Sequence, residues 1–261
     1  MTALRSLAFN VLFYLNLIGH LLVLSPVFFI VPERMAWSFL KSWARSSLWL
    51  MKVVAGLDAH ITGHENIPQG AVIVASKHQS FWDIMALVPQ LDRPTFILKK
   101  ELISIPVFGW FARRLGMIPV DRSKGAAAIP AMLESAREAA AAGRQIIIFP
   151  EGTRTAPGAD PDYRSGVFRL YRELKLPVVP VALNSGVFWP RRSFMRWPGT
   201  VEAQFLPPLP PGLYRDAFLP PLRAAIEERS TEMLRDAYRG RTDLPMNALV
   251  RERLTEGAPL A

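Results

Sequence analysis

The feature that most restricts this chain is a long apolar segment near its N-terminus, residues 7–31, interrupted by few polar residues. A helix needs about 20 apolar residues to cross a bilayer, so this segment is long enough. A cleavable secretory signal is the alternative, because Arg5 precedes the segment. The segment is too long for such a signal, however, and no A-x-A-like site closes it before Pro32. We therefore expect a helix that spans the membrane or lies in one leaflet.

Residues 35–54 are predicted to form an amphipathic helix. Basic residues recur along one side, and apolar residues form a stripe along another; the two sets are Arg34, Lys41, Arg45 and Lys52, and Trp37, Leu40, Ala44, Leu48 and Met51. Such a helix can lie on a membrane surface, or it can pack on a folded domain with its charges in solvent. We favour the membrane because the preceding segment independently indicates it. Residues 1–56 are thus predicted to be a membrane-binding helical hairpin.

Composition restricts the chemistry and the partners. The 261 residues carry a formal net charge of +9 and no cysteine. A surplus of positive charge indicates an anionic partner, and the mixture of basic residues with Leu, Phe and Trp in residues 1–56 favours membrane lipids over nucleic acid. The lack of cysteine excludes a thiolate nucleophile, a Cys-based zinc site and disulfides.

After Gly56 the sequence alternates between short β-rich runs and helical stretches. The predicted strands are residues 71–75, 95–98, 117–120, 145–149, 178–183 and 201–205, and the predicted helices are residues 81–88, 102–115, 129–142, 166–174 and 221–238. This alternation indicates an α/β fold with a mixed or mostly parallel sheet and helices on both faces. We assign residues 57–240 to a catalytic domain and residues 241–261 to a peripheral C-terminal tail.

The first group of candidate functional residues follows the strand at residues 71–75. Ser80 resembles a helix N-cap, which would start a helix at Phe81 and leave His78 in the loop before it. The carboxylate of Asp83 can then reach the imidazole of His78, and a histidine oriented by a carboxylate is a general-base pair. The alternative is that Asp83 only caps the helix and His78 only packs.

A second group, Glu151, Gly152, Thr153 and Arg154, follows the strand at residues 145–149. Glycine permits close backbone approach to a ligand, and the planar guanidinium of Arg154 matches phosphate oxygens. The alternative is an ordinary turn with a surface salt bridge between Glu151 and Arg154.

Together and in this order, the two groups resemble the H-x₄-D and E-G-T-R motifs of the glycerophospholipid acyltransferase family, most closely the 1-acylglycerol-3-phosphate acyltransferases. Residues 99–102, 118–122 and 178–183 resemble further blocks of that family. The resemblance spans about residues 60–185.

The resemblance implies that His78, oriented by Asp83, takes a proton from the sn-2 hydroxyl of lysophosphatidic acid. The hydroxyl oxygen would attack the thioester of acyl-CoA or acyl carrier protein, giving phosphatidic acid without a covalent enzyme intermediate, a cofactor or a metal. Arg154, assisted by Lys100 and Arg122, would hold the acceptor phosphate. Glu151, Gly152 and Thr153 would complete the substrate pocket, and Arg164 is a weaker candidate for the same charge.

The resemblance leaves the acceptor open, since family members also acylate lyso-ornithine lipid, glycerol 3-phosphate and other lysophospholipids. It implies a membrane enzyme with its catalytic domain on the cytoplasmic side, at the inner membrane in a bacterium. A basic peripheral membrane protein without catalytic activity is the alternative from another class, but it gives no reason for His78, Asp83 and Arg154 to occur together.

Three other features of the sequence give weaker indications of function. No G-x-S-x-G motif of a serine hydrolase occurs. His60 and His64 have the spacing of zinc ligands on a helix, but the residues around them favour a strand or loop, so we predict no metal site. Trp110 and Phe111 are predicted to pack in the core rather than to line an acyl groove.

Overall fold

The computed structural model describes residues 1–255. Its helices are α1 (Thr2–Val23), α2 (Ser25–Phe28), α3 (Glu33–Leu50), α4 (Trp82–Leu87), α5 (Phe108–Arg114), α6 (Ile129–Ala141), α7 (Gly166–Leu174), α8 (Ser185–Phe188), α9 (Arg215–Tyr238) and α10 (Ala248–Thr255). Its strands are β1 (Leu57–Thr62), β2 (Val72–Ser76), β3 (Pro94–Lys99), β4 (Ile118–Val120), β5 (Gln145–Ile148), β6 (Val178–Leu183) and β7 (Gly199–Phe205).

The strands form one seven-stranded sheet in the order β1-β7-β6-β2-β5-β3-β4. Neighbouring strands are parallel except for β6 and β7, which are antiparallel. The predicted mostly parallel sheet is confirmed. Strand β1 was not among the predicted strands, and it contains His60, whereas His64 lies in a 3₁₀ turn. The two histidines therefore do not share a helix face.

Helices cover both faces of the sheet, as predicted. Along β2 the side chains alternate: Val72 and Val74 belong to a core that includes residues of α1, α3 and α4, whereas Ile73 and Ala75 belong to a core that includes residues of α6, α7 and α9. Successive side chains of a strand point to opposite faces, so a strand buried on both faces is apolar throughout.

The predicted apolar segment forms two helices. Helix α1 ends at Val23, and α2 begins at Ser25 with Pro26 in its first turn. Proline has no amide hydrogen to donate and is tolerated where a helix starts, which explains the interruption. Within residues 1–255, α1 is the one helix that is long and apolar enough, by length and composition, to cross a membrane. Along its length Leu7, Val11, Leu15, Ile18 and Leu22 are exposed.

The apolar stripe of α3 packs largely within the protein, and the predicted contact of this helix with a membrane stays a prediction. Trp37, Ala44 and Met51 are buried in the cores of the protein. A core accepts an apolar stripe as readily as a membrane does, and only the packing of α3 distinguishes the two. Trp49 and Val53 remain exposed.

The predicted helix at residues 102–115 is divided into a 3₁₀ helix, Lys100–Ser104, and α5. Pro106 lies between them, and proline disrupts a helix interior. The ring of Phe111 stacks on that of Phe28, with centroids 3.9 Å apart. Trp110 is exposed, so the prediction of core packing was right for Phe111 alone.

Helix α9 begins at Arg215, earlier than predicted, and contains Pro220 and Pro221. The described part of the predicted C-terminal tail packs on the rest of the chain, because Leu244 and Val250 are buried in a core that also holds strand residues. Residues 256–261 of that tail lie outside the described residues.

Candidate active site

The sheet brings the two groups of candidate residues to one edge. Strand β2 lies between β5 and β6 and runs parallel to both, with Ala75 opposite Ile148 and Ser76 opposite Val181. The loops that leave the carboxyl ends of parallel strands meet at the same edge of a sheet. His78, Glu151 and Ser185, which follow these three strands, therefore come together.

The imidazole of His78 is held by a buried carboxylate. Nδ1 of His78 lies 2.9 Å from Oδ2 of Asp83. The same oxygen accepts hydrogen bonds from the main-chain amides of Gln79 and Ser80, at 2.7 and 3.0 Å. The other oxygen, Oδ1, accepts from the hydroxyls of Ser80 and Ser185. This arrangement confirms the predicted contact between His78 and Asp83 and orients the imidazole through Nδ1.

The ring face of His78 is also covered, because it stacks on Phe149 with centroids 3.9 Å apart. Its side chain keeps an exposure of 12%. Within residues 1–255 no hydrogen bond to its Nε2 is formed. Nε2 is thus the ring nitrogen of His78 that has no hydrogen-bond partner within the described residues.

Glu151 connects the two groups of residues. Its Oε1 accepts a hydrogen bond from the main-chain amide of His78 at 2.8 Å, and its Oε2 accepts one from the hydroxyl of Thr155. The main-chain amide of Thr155 donates in turn to the carbonyl of His78 at 2.9 Å. Glu151 is buried, and this burial raises its pKa to about 7 against the opposing effect of Lys77. The surface salt bridge to Arg154, considered as an alternative, is not what this carboxylate forms.

A second buried network lies behind the loop of His78. Nζ of Lys77 contacts both carboxylate oxygens of Glu227, at 2.6 and 2.8 Å, and lies 4.0 Å from Oε1 of Glu151. The hydroxyl of Tyr163 donates to Glu227 at 2.9 Å. Burial and the charge of Glu227 raise the pKa of Tyr163. The network ties the end of β2 to α9.

The predicted basic residues make different contacts around the site. The guanidinium of Arg154 lies 5.8 Å from the ring centroid of Phe81, and burial lowers its pKa. Arg122 donates to the carbonyl of Gly152, so it also reaches the site loops. Lys100 is exposed, and its Nζ lies 3.5 Å from a carboxylate oxygen of Asp121.

Two other predicted residues and one weaker candidate complete the loop. Gly152 has a φ of 69°, a left-handed conformation that glycine adopts without strain. A Cβ there would lie 3.2 Å from Cγ of Arg164, so the stem of this arginine covers the turn. Thr153 is exposed.

A cavity of about 300 Å³ lies between α1 and the loop of His78. Ser80, Phe81 and Arg154 form part of its wall. Another part comes from the segment after α8 and is strongly basic, with Arg191, Arg192 and Arg196. Within residues 1–255, no group of three or more histidines, aspartates and glutamates is placed to hold a metal ion.

Comparison with known proteins identifies a family and several relatives of this chain. The acyltransferase family profile matches residues 58–184. A 1-acyl-sn-glycerol-3-phosphate acyltransferase of Pseudomonas aeruginosa is 35% identical over 198 residues, which make up 74% of this chain and 77% of that relative. The chain belongs to the acyltransferase family. The predicted family and the predicted class of enzyme are confirmed.

More distant relatives of this acyltransferase are longer. A 1-acyl-sn-glycerol-3-phosphate acyltransferase of Saccharomyces cerevisiae is 34% identical over 146 residues, and the chain spans about half of its length, 48%. The crystal structure of the 1-acyl-sn-glycerophosphate (LPA) acyltransferase PlsC of Thermotoga maritima has the same fold. Its TM-score is 0.74, with 21% identity, and the match covers 89% of this chain and 98% of that one.

Several residues of this acyltransferase site were not predicted from sequence. Ser185 and Lys77 were missed, although both follow buried strands at the edge where the candidate residues were found. Arg191, Arg192 and Arg196 were missed too. The interleaving of these arginines with Trp189, Phe194 and Trp197 was the visible pattern in the sequence.

Proposed function

We propose that this acyltransferase moves a fatty acyl group from acyl-CoA or acyl carrier protein to the sn-2 hydroxyl of lysophosphatidic acid, giving phosphatidic acid. The observation that carries the proposal is the imidazole of His78, oriented by the buried Asp83, in a loop whose Ser80 and Phe81 line a cavity together with Arg154. Relatives named 1-acyl-sn-glycerol-3-phosphate acyltransferases support the choice of acceptor.

In the proposed reaction, Nε2 of His78 takes the proton from the acceptor hydroxyl. The oxygen attacks the thioester carbonyl, a C–O bond forms, and the C–S bond breaks. The proton passes from His78 to the leaving thiolate, which departs as a free thiol. Asp83 orients the imidazole and stabilises its protonated form between the two proton transfers. No cofactor or metal takes part in these steps.

The remaining predicted residues have supporting roles in this proposal. Arg154 and Arg122 supply positive charge for the acceptor phosphate, and Lys100 adds long-range attraction from the neighbouring loop. Glu151 holds the loop of His78 in place. Gly152 allows the tight turn, and Thr153 contributes an exposed hydroxyl.

We place the enzyme on a membrane, bound through the exposed apolar face of α1. Both the acceptor and the product are lipids, and membrane lipids are the proposed partners rather than nucleic acid. Basic residues flanking an apolar helix favour the cytoplasmic side. In a bacterium that membrane would be the inner membrane.

The test is release of free thiol from acyl-CoA with purified protein and a panel of acceptors: lysophosphatidic acid, other lysophospholipids, lyso-ornithine lipid and monoacylglycerol. We expect the highest kcat/KM with lysophosphatidic acid. His78→Ala should lower turnover by roughly 10²–10⁴-fold while leaving the thermal melting temperature close to that of the wild type. His60→Ala, at an exposed histidine of β1, is the matched control. Retained turnover in His78→Ala would remove the proposed base, and a preference for lyso-ornithine lipid would change the acceptor.

A further inference from the structure

We propose that the cavity beneath α1 selects a lipid that carries a phosphate monoester, with Arg191, Arg192 and Arg196 as specificity-determining residues beside Arg154. This inference rests on the proposed acylation of a phosphorylated lipid and adds a set of residues to it. None of the three arginines belongs to the motifs that indicated the family.

Arg196 is the strongest indication of an anionic occupant. It is only 7% exposed, and its guanidinium lies 4.1 Å from the ring centroid of Trp189. Nη1 donates to the carbonyls of Ser193 and Met195, both at 2.8 Å, whereas the buried Nε has no hydrogen-bond partner within the described residues. Burial lowers the pKa of Arg196 to about 10, so the side chain still carries its charge at neutral pH. A buried cation with only neutral partners lacks the counter-charge that usually accompanies such burial.

The other arginines of the cavity add to this unbalanced charge. Nη1 of Arg191 donates to the carbonyl of Arg154 at 2.9 Å, which joins the two segments. Arg192 has a φ of 59°, in the left-handed region where side chains other than glycine are uncommon. No residue that lines the cavity, all of it within the described chain, is acidic. Like charges repel one another, so an anion that binds between the arginines relieves the repulsion.

The apolar part of the cavity indicates that the anion belongs to a lipid. Phe13, Tyr14 and Leu17 of α1 line the cavity, and Tyr14 is also exposed on the outer surface of the helix. Two hydrogen bonds join helix α1 to the segment after α8 that carries the arginines. The amide of Arg196 donates to the hydroxyl of Ser6 at 2.8 Å, and the side chain of Asn10 donates to the carbonyl of Phe194 at 2.7 Å. The cavity therefore adjoins the helix that we place against the membrane. A lysophospholipid, with a phosphate and an acyl chain, matches both kinds of lining, whereas the nucleotide part of acyl-CoA offers no acyl chain at that end.

A phosphate monoester can carry two negative charges, and a phosphodiester carries one. Several guanidinium groups around one cavity therefore favour the monoester. A neutral acceptor such as monoacylglycerol leaves the arginines unpaired and should bind poorly. The cavity thus accounts for discrimination between acceptors through the charge of the headgroup.

The experiment uses the full chain and compares Arg191→Gln, Arg192→Gln and their double variant with the wild type. Each single substitution should raise the KM for lysophosphatidic acid by about tenfold, and the double variant more, with little change in kcat or in the KM for acyl-CoA. The KM for monoacylglycerol should stay the same. Arg169→Gln, at an exposed arginine of α7, removes the same charge away from the cavity and should change none of these values. Arg196→Met is added only if its melting temperature shows that it folds.

Equilibrium binding separates failure of this inference from failure of the proposed function. The probes are a lysophosphatidic acid analogue that lacks the sn-2 hydroxyl, and inorganic phosphate. Weaker binding of the analogue to the double variant supports the inference even if the wild type acylates a different lipid. Unchanged KM and unchanged analogue binding would overturn it, as would a rise in the KM for acyl-CoA alone, which would assign the cavity to the donor. Inorganic phosphate that binds as tightly as the analogue would identify a site for free phosphate and refute a lipid site.

Discussion

The main-chain amide of His78 donates a hydrogen bond to the carboxylate of Glu151 over 2.8 Å. This contact joins two loops that are far apart in sequence, and it positions the backbone that carries the proposed base. Because Glu151 acts through His78 and not on a substrate atom in this arrangement, we regard it as a positioning residue. Its burial makes the contact sensitive to pH.

Replacing Glu151 by glutamine should change how stability depends on pH. The pKa of Glu151 is raised from 4.5 to about 7 in the folded protein, so the folded state binds more protons between these values than the unfolded state does. The stability contributed by this group is complete below pH 4.5 and is lost as the pH rises to about 7. Glu151→Gln keeps an oxygen acceptor for His78 and removes the titration.

Urea denaturation across that pH range measures the effect. The free energy of unfolding of the wild type should fall more with rising pH than that of Glu151→Gln. Glu138→Gln, at an exposed glutamate of α6, is the control and should follow the wild type. Parallel pH dependences for the wild type and Glu151→Gln would contradict the assignment.

Ser185→Ala should impair catalysis without weakening substrate binding. The substitution removes one donor to Oδ1 of Asp83, and a hydrogen bond to a charged group contributes about 1.5–3 kcal/mol. We expect kcat to fall about tenfold or more, with unchanged KM values and a shifted pH profile of kcat, because the carboxylate that orients His78 is altered. Steady-state kinetics over a pH series measure this, with Ser38→Ala on α3 as the control. A change in KM alone would show that Ser185 contacts a substrate instead.

Lys77→Met should destabilise the fold strongly. The substitution leaves the carboxylate of Glu227 with Tyr163 as its remaining partner in the network, and breaking a buried ion pair costs about 3–5 kcal/mol. The double variant Lys77→Met/Glu227→Gln should recover part of the loss, because no unpaired charge remains. Urea denaturation of both variants measures the difference. A double variant that is no more stable than Lys77→Met would show that packing of the lysine stem, not its charge, matters.

Polar substitutions on the outer face of α1 should weaken membrane binding and leave the fold intact. Leu15 and Ile18 are exposed, at 59% and 49%, so Leu15→Asn/Ile18→Asn removes few contacts within the protein. We expect the vesicle partition coefficient to fall by roughly tenfold or more, with an unchanged melting temperature. Sedimentation with anionic vesicles measures this. Lys124→Gln, an exposed basic residue after β4, serves as a control for general charge effects. Equal partitioning of wild type and variant would remove α1 as the anchor.

Local patterns in the sequence were enough to predict much of the fold and the centre of the site. Strands buried on both faces, such as β2 and β5, are apolar throughout, so their positions and their loops could be predicted. Four residues separate His78, in the loop, from Asp83, in the first turn of α4. Their contact therefore depends on local structure and could be predicted. The half-buried strand β1 was missed because Asp58, His60 and Thr62 break the apolar pattern, and because β7, the strand with which it pairs, is distant in sequence.

The amino-acid sequence by itself determined the apolar helix, the α/β alternation and the two motif loops, since each depends on residues near one another in the chain. Tertiary structure alone decided which surface the stripe of α3 covers, which carboxylate pairs with Lys77, and where the arginines at 191, 192 and 196 point. The physical reason is that the periodicity of a helix or strand specifies its apolar face but not which part of the protein packs against that face. Residues distant in sequence meet only where strand order and helix packing place them.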